Sequence, residues 1–226
     1  MTAGMITAPS VRRATRNEIP ILAALLARAF ASDPFFSYLA GTAPERNQRM
    51  RDGWAANLQH ASAGFAATWT TDDHAGAAIW IPPGRAASSA LDQLSMLPAL
   101  ARLTGWRRLR ETSAALEALE DRRRAHAPVP HWYLSALGVE PERQGEGIGS
   151  ALLAPVLANA DGDGVPCYLE TAVGRNVLLY ERHGFDVVEE LILPNTDVHG
   201  WLMLRAASVA PREAAPGTSP SRTESG

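Results

Sequence analysis

The sequence has a single cysteine, Cys167, in 226 residues. An internal disulfide is therefore excluded, and no Cys/His cluster has zinc spacing, so no metal is expected. Positive charge is not in excess: 21 Lys and Arg stand against 24 Asp and Glu, for a net charge of -3. A general nucleic-acid partner, which a basic field favours, finds no support. No apolar run is long enough to span a bilayer, and Met1 to Ser10 lacks the apolar core of a signal peptide. The expectation is a soluble, cytoplasmic protein with no membrane partner. What the chain does have is an ordinary globular balance, 46% hydrophobic and 20% charged. That suffices for one substantial core and, on length, one domain or at most two small ones.

Composition marks the ends. From about Ala206 to Gly226 the chain is rich in Ala, Pro, Ser, Thr and Gly, contains Pro211, Pro216 and Pro220, and has no aromatic residue. It reads as a disordered tail, and residues 1–10 as a flexible N-terminus, leaving a domain over 11–205. Inside it, a short strand at Val11 to Ala14 precedes a helix opened by Thr15 and Glu18, a capping-box pattern. Ile21, Leu22, Leu25, Leu26 and Ala29 give this helix an apolar stripe, and it should end near Asp33-Pro34. A second helix is expected over Pro44 to Ala61. A hairpin of Phe65 to Thr71 and Gly76 to Ile81 follows. Ser88 to Ala125 reads as helical, broken near Thr104-Gly105. His131 to Val139 is a mostly apolar run of central-strand length. After it come a Gly-rich turn, a helix from Gly147 to Ala160, a strand at Val165 to Glu170 and a helix at Arg175 to His183. Two closing strands span Phe185 to Leu193 and Val198 to Arg205. The order predicts a mixed α/β (α+β) sheet with helices on both faces. Pro155 falls inside the helix after the turn, where a local kink is expected.

The most informative segment runs from Val139 to Ser150. A strand ends at Val139, Pro141 turns the chain, and a helix begins near Gly147. Gly145, Gly147 and Gly149 remove side chains where the backbone enters the helix, so main-chain N–H groups can approach a ligand closely. The helix N-terminus adds unpaired donors and a positive dipole end, a site for phosphate oxygens. The pattern is not a P-loop, because no Gly-Lys-Ser/Thr follows, and the Gly-x-Gly-x-Gly spacing is a poor dinucleotide fingerprint.

Gln144-x-x-Gly147-x-Gly149, after a strand ending Leu137-Gly138-Val139, resembles the acetyl-CoA motif of the GNAT N-acetyltransferase superfamily. A second block, Tyr168-Leu-Glu-Thr171 and then Arg175-Asn-Val-Leu-Leu-Tyr-Glu-Arg-His-Gly-Phe185, resembles that family's later strand and helix ending Tyr-Glu-x-x-Gly-Phe. The wording is similar to puromycin N-acetyltransferase and its bacterial relatives, and the likeness extends to Ala29-Phe-Ala-Ser-Asp-Pro34 and to Trp132-x-x-x-x-x-Gly138-Val. The resemblance implies a mostly antiparallel sheet of six to seven strands, splayed at its central parallel pair, and acetyl-CoA as co-substrate. It implies that Leu137, Gly138 and Val139 offer backbone groups to the pantetheine arm. Gln144, Gly145, Glu146, Gly147, Ile148, Gly149 and Ser150 would form the pyrophosphate loop. Tyr180 matches the family's general acid. Asn176, one helical turn earlier on the same face, would approach the pantetheine. Many relatives place an earlier Asn where Val173 stands here.

Acetyl transfer requires a neutral amine, a polarised thioester carbonyl and a protonated leaving thiolate. A Tyr hydroxyl, with an ordinary pKa of about 10, is protonated at neutral pH and suits the last task. Glu170, at the end of a central strand beside the expected splay, is either the base or a structural carboxylate holding a loop. Asp33, Phe36 and Trp132 are the acceptor-side candidates: aromatics stack on flat ligands, and a carboxylate attracts cations. His183 is explained by the helix dipole alone, and Cys167 by burial. The lead expectation is transfer of acetyl to a primary amine of a small molecule, an antibiotic or metabolite. The alternatives are a protein or peptide N-acetyltransferase and a non-catalytic acetyl-CoA-binding regulatory module. The expected partners are acetyl-CoA, the amine and at most a second copy of the chain in a homodimer.

Overall fold

The computed structural model describes residues 9–42, 44–60, 67–84, 100–105 and 109–208. The expected tail beyond 208, most of the N-terminal segment, the helical stretch 88–99 and the strand start at Phe65 lie outside them. Strands are β1 (Val11–Arg13), β2 (Thr68–Thr71), β3 (Gly76–Ile81), β4 (Trp132–Val139), β5 (Cys167–Thr171), β6 (Asp186–Ile192) and β7 (His199–Arg205). Helices are α1 (Ile19–Ala29), α2 (Pro34–Ala40), α3 (Arg46–His60), α4 (Leu109–His126), α5 (Ile148–Asp163) and α6 (Gly174–Glu181). Residues 100–104 are also helical, and the break expected near Gly105 is present, with Gly105 at φ 77°.

The seven strands form one sheet in the order β1-β2-β3-β4-β5-β7-β6. Only β4 and β5 run parallel; every other pairing is antiparallel. α1 and α3 cover one face, packing Leu22, Leu25, Leu26, Met50, Trp54 and Leu58 against Ala77, Ile79 and Ala136. α5 covers the other, packing Ile148, Leu152, Leu153 and Val156 against Ala78, Trp80 and Leu134. The apolar stripe read on α1 is the face that meets the sheet, apart from Ile21, which is 45% exposed.

One expectation is corrected. The helix opened by Thr15 does not reach Asp33-Pro34; α1 stops at Ala29, and Asp33-Pro34 starts α2 instead. The Asp33 carboxylate accepts from Phe36 N–H at 3.0 Å, and Pro34 takes the first helical position. The same dipeptide that disfavours helix before Pro is a good N-cap and N1 pair for helix after it. Pro155, where a kink is expected, lies inside the 16-residue α5 and leaves it without one backbone donor. At the other end of α1, the expected capping box forms, with Thr15 N–H donating to Glu18 at 2.6 Å. Glu18 also binds Arg12 and His74, which ties β1 to the β2–β3 turn.

Candidate active site

β4 and β5 pair over three rungs only: Trp132 with Cys167, Tyr133 with Tyr168, and Leu134 with Leu169. Beyond Leu134, β4 runs on to Val139 beside β3 while β5 diverges. The divergence coincides with a bulge. Ile79 faces Ala136 and Trp80 faces Leu134, so Ser135 has no rung on β3. A bulge re-aims a strand and reverses which face its later residues occupy. Accordingly Leu134 packs on the α5 side, whereas Ala136 packs on the α1 side. The result is a wedge inside the sheet, lined on the β4 side by main-chain groups without a β5 partner. Buried backbone polar groups need a partner, so such an edge accepts an extended polar ligand.

The glycine turn stands at the open end of this wedge. Gly145 and Gly147 have φ 87° and 82°, and Gly147 is the N-cap of α5. A Cβ at either would meet nothing within 4 Å, so these glycines serve backbone conformation rather than close packing. The first bond of the helix is Ala151 N–H to the Gly147 carbonyl, at 3.0 Å. The N–H groups of Ile148, Gly149 and Ser150 therefore lack helical acceptors and point outward. Side chains brace the turn from below. Gln144 donates to the Val139 carbonyl at 3.3 Å. Arg143 donates to Glu146 at 2.7 Å and to Asp73 of the β2–β3 turn at 3.0 Å. The Ser150 hydroxyl lies 3.0 Å from His183 Nε2. Burial lowers the His183 pKa, so that ring is neutral at pH 7. At Gly149 a Cβ would lie 3.6 Å from Leu179, 3.7 Å from Leu137 and 4.0 Å from Val139, so α5, α6 and β4 converge at the helix start.

α6 carries Asn176 and Tyr180 one turn apart; Asn176 is partly buried and Tyr180 is 5% exposed, set edge-on to Phe185. Burial raises the Tyr180 pKa, and the charge of Asp33 raises it further, so the phenol stays protonated at neutral pH. Its hydroxyl has no hydrogen-bond partner among the described residues. Asp33 and Tyr180, distant in sequence, are thus neighbours in an electrostatic sense. The carboxyl of Asp33 is itself pushed up by burial, against the pull of the Phe36 and Phe35 amides. The other acceptor-side candidates lie in aromatic packing. Phe36 contacts Phe30 and Trp54, with ring centroids 4.7 and 4.9 Å away. Trp132 stands edge-on to Trp80 at 6.4 Å, at the closed end of the parallel ladder. Cys167 is fully buried, and burial pushes its thiol up to about 11, as suits an inert core residue.

Glu170 lies two residues past Tyr168 on the same face of β5. Burial pushes its carboxyl up to about 7, while Tyr133, Arg123 and Tyr168 favour the ionised form and temper the rise. Tyr133 and Tyr168 share a rung, with ring centroids 6.2 Å apart. The Tyr168 hydroxyl is buried with no hydrogen-bond partner within bonding distance, though near enough to the carboxylate to favour its charge. Sequence reading missed Arg123 and Tyr168. The Tyr168-x-Glu170 alternation was a legible sign that the two share a face; the place of Arg123 depends on helix packing. Beyond Glu170 a roof closes over the strand end: Phe35 and Tyr38 of α2, Ala115 and Leu119 of α4, and Leu193 and Val198 of the last hairpin.

A family model described as an acetyltransferase (GNAT) domain matches residues 111–187, from α4 through the turn and α6 into β6. A Schizosaccharomyces pombe protein named as an uncharacterized N-acetyltransferase is 27% identical over 230 residues, covering 96% of this chain and 92% of the relative. Among solved structures, the chain is similar to a Corynebacterium glutamicum protein described as histone acetyltransferase HPA2 and related acetyltransferase. That match has a TM-score of 0.68 and 24% identity, over 91% of this chain and 99% of the other. A Drosophila melanogaster polyamine N acetyltransferase matches with a TM-score of 0.58 and 17% identity, over 88% and 100%. These two structural likenesses speak to the fold alone.

Proposed function

We propose that the chain is a GNAT-type acetyltransferase that moves the acetyl group of acetyl-CoA directly to a primary amine of a small molecule, a reading supported by the family model over 111–187. The observation that carries this reading is the wedge between β4 and β5, with the free N–H groups at the head of α5 at its mouth and Tyr180 beside it. The N–H groups of Ile148, Gly149 and Ser150 receive the diphosphate. The exposed edge of Leu137 to Val139 pairs with the pantetheine amides and polarises the thioester carbonyl. Glu170 takes a proton from the amine as the nitrogen bonds to the carbonyl carbon. The carbon–sulfur bond breaks, and Tyr180 gives its proton to the departing thiolate. Water then returns the phenol and the carboxylate to their starting states.

The small-molecule acceptor is favoured by the roof over the end of β5, where α2, α4 and the last hairpin meet. Phe35 and Tyr38 in that cluster offer aromatic faces on which a compact amine could stack. Relatives described by their names as histone and polyamine acetyltransferases make both acceptor kinds worth testing. The experiment is a thiol-release screen of the protein with acetyl-CoA against small amines, puromycin among them, and against lysine peptides. Turnover with a small amine at least tenfold above any peptide is the expected result; the reverse order overturns it. The chain holds no lysine, so acetyl-lysine found by mass spectrometry belongs to the added acceptor.

A further inference from the structure

Arg123, on the last turn of α4, is only 6% exposed. A buried guanidinium is costly unless paired, and this one is held on three sides. Its Nε donates to Glu120 at 3.0 Å and its Nη2 to the other oxygen at 2.7 Å. Its Nη1 donates to His131 Nε2 at 3.2 Å. His131 Nδ1 faces the Pro128 carbonyl at 2.9 Å, so Nδ1 carries the hydrogen and Nε2 accepts. Burial lowers the His131 pKa and keeps the ring in that neutral form. The guanidinium carbon also sits 5.4 Å from the centre of the Tyr133 ring. Neither the glycine turn nor α6 uses this cation. It is aimed instead at the rung where Tyr133 meets Tyr168, the face on which Glu170 follows.

We propose that Arg123 is a positioning residue for the base Glu170: a fixed cation carried in by α4 that holds the carboxylate ready for the amine's proton. The proposal rests on the reading of Glu170 as the base. Toward Glu170, β4 contributes the Tyr133 hydroxyl and β5 the Tyr168 hydroxyl; α4 contributes Arg123 and, behind it, Glu120. On the other side, β7 places Leu202 opposite Glu170. Two of these neighbours act with opposite sign. Arg123 favours the ionised carboxylate and Glu120 disfavours it. The guanidinium explains how α4, with no residue in the turn or the wedge, bears on the chemistry. It also gives a reason for an arginine rather than a lysine, since only a planar fork serves Glu120, His131 and the Tyr133 ring together.

The test reads the Glu170 carboxyl directly, by carbon NMR of glutamate-labelled full-length protein titrated from pH 4 to 9. Arg123→Met should move the Glu170 midpoint up by about one pH unit, and Glu120→Gln should move it down. Arg123→Lys should restore part of the Arg123→Met shift. A merely structural role for Arg123 lowers the melting temperature without these opposed shifts. Should Arg123→Met fail to fold, Arg123→Lys carries the test: loss of the fixed planar fork should still move the Glu170 midpoint up, by less than about one pH unit, and an unmoved midpoint there overturns the proposal. Turnover of Glu170→Gln with the best amine of the screen separates the two ideas. An unmoved midpoint in Arg123→Met and Glu120→Gln, with Glu170→Gln impaired, overturns the role of Arg123 and leaves the base standing. Full turnover in Glu170→Gln overturns both.

Discussion

Gly138 of β4 lies so close to Leu26 of α1 that a Cβ built on it would stand 2.8 Å from the Leu26 Cδ2. The neighbouring rung does the same on the opposite face: a Cβ on Gly76 would meet Leu152 and Ile148 of α5 at 2.8 and 2.9 Å. These two glycines let helices close on both sides of the sheet at the level of the wedge. Gly138→Ala should therefore cost about 1–3 kcal/mol by overpacking. Denaturant unfolding of wild type and variant measures it. An unchanged midpoint would show that α1 has room to retreat.

Tyr180→Phe removes the hydroxyl and keeps the ring that packs on Phe185. A general acid contributes about 10²–10⁴-fold, so kcat should fall by about a hundredfold or more while acetyl-CoA affinity stays within about twofold. Pre-steady-state thiol release with a binding titration gives both numbers. A parallel loss of affinity and turnover would instead assign Tyr180 to coenzyme binding.

Glu170 gives a pH dependence with a definite sign. Its carboxyl titrates at about 7, and a base acts only when ionised, so kcat/KM should rise with pH through that region. In Glu170→Gln this limb should vanish, leaving only the limb of the amine itself. Retention of the limb would place the titration elsewhere.

The same shift appears in stability with the reverse sign. A carboxyl whose folded pKa is raised favours the folded state in its protonated form. That contribution is complete below the ordinary value near 4.5 and is lost as pH climbs through about 7. Wild type should therefore lose melting temperature relative to Glu170→Gln between pH 5 and pH 8.5. A constant difference across that range would mean that the carboxylate is well solvated.

The glycine turn and Tyr180 were legible because each sits in one continuous strand–turn–helix stretch, where local chemistry and order carry the information. Gln144, Gly147 and Gly149 needed only their own spacing. Asp33-Pro34 was misread because its dipeptide stops one helix and starts another with equal physical justice; only packing of Phe36 onto Trp54 decides. The cluster around Glu170 was half legible. Strand alternation puts Tyr168 and Glu170 on one face, yet Tyr133 joins them only through the parallel register. Arg123 joins only through the docking of α4, in a stretch whose sequence carries no diagnostic pattern. Trp132 shows the converse: aromatic and close to the wedge in sequence, it lies at the closed end of the ladder.

The claim that orders the rest is that amide groups bared at the head of α5 seize a coenzyme diphosphate. Gly147, at φ 82°, holds the conformation that points them outward, and a β-branched residue in that region costs about 1–2 kcal/mol. Isothermal titration of acetyl-CoA into wild type and Gly147→Val is the direct measurement. The expected result is one site per chain in wild type, with affinity lowered about tenfold or more in the variant. Equal affinities, or no heat of binding in wild type, would contradict it.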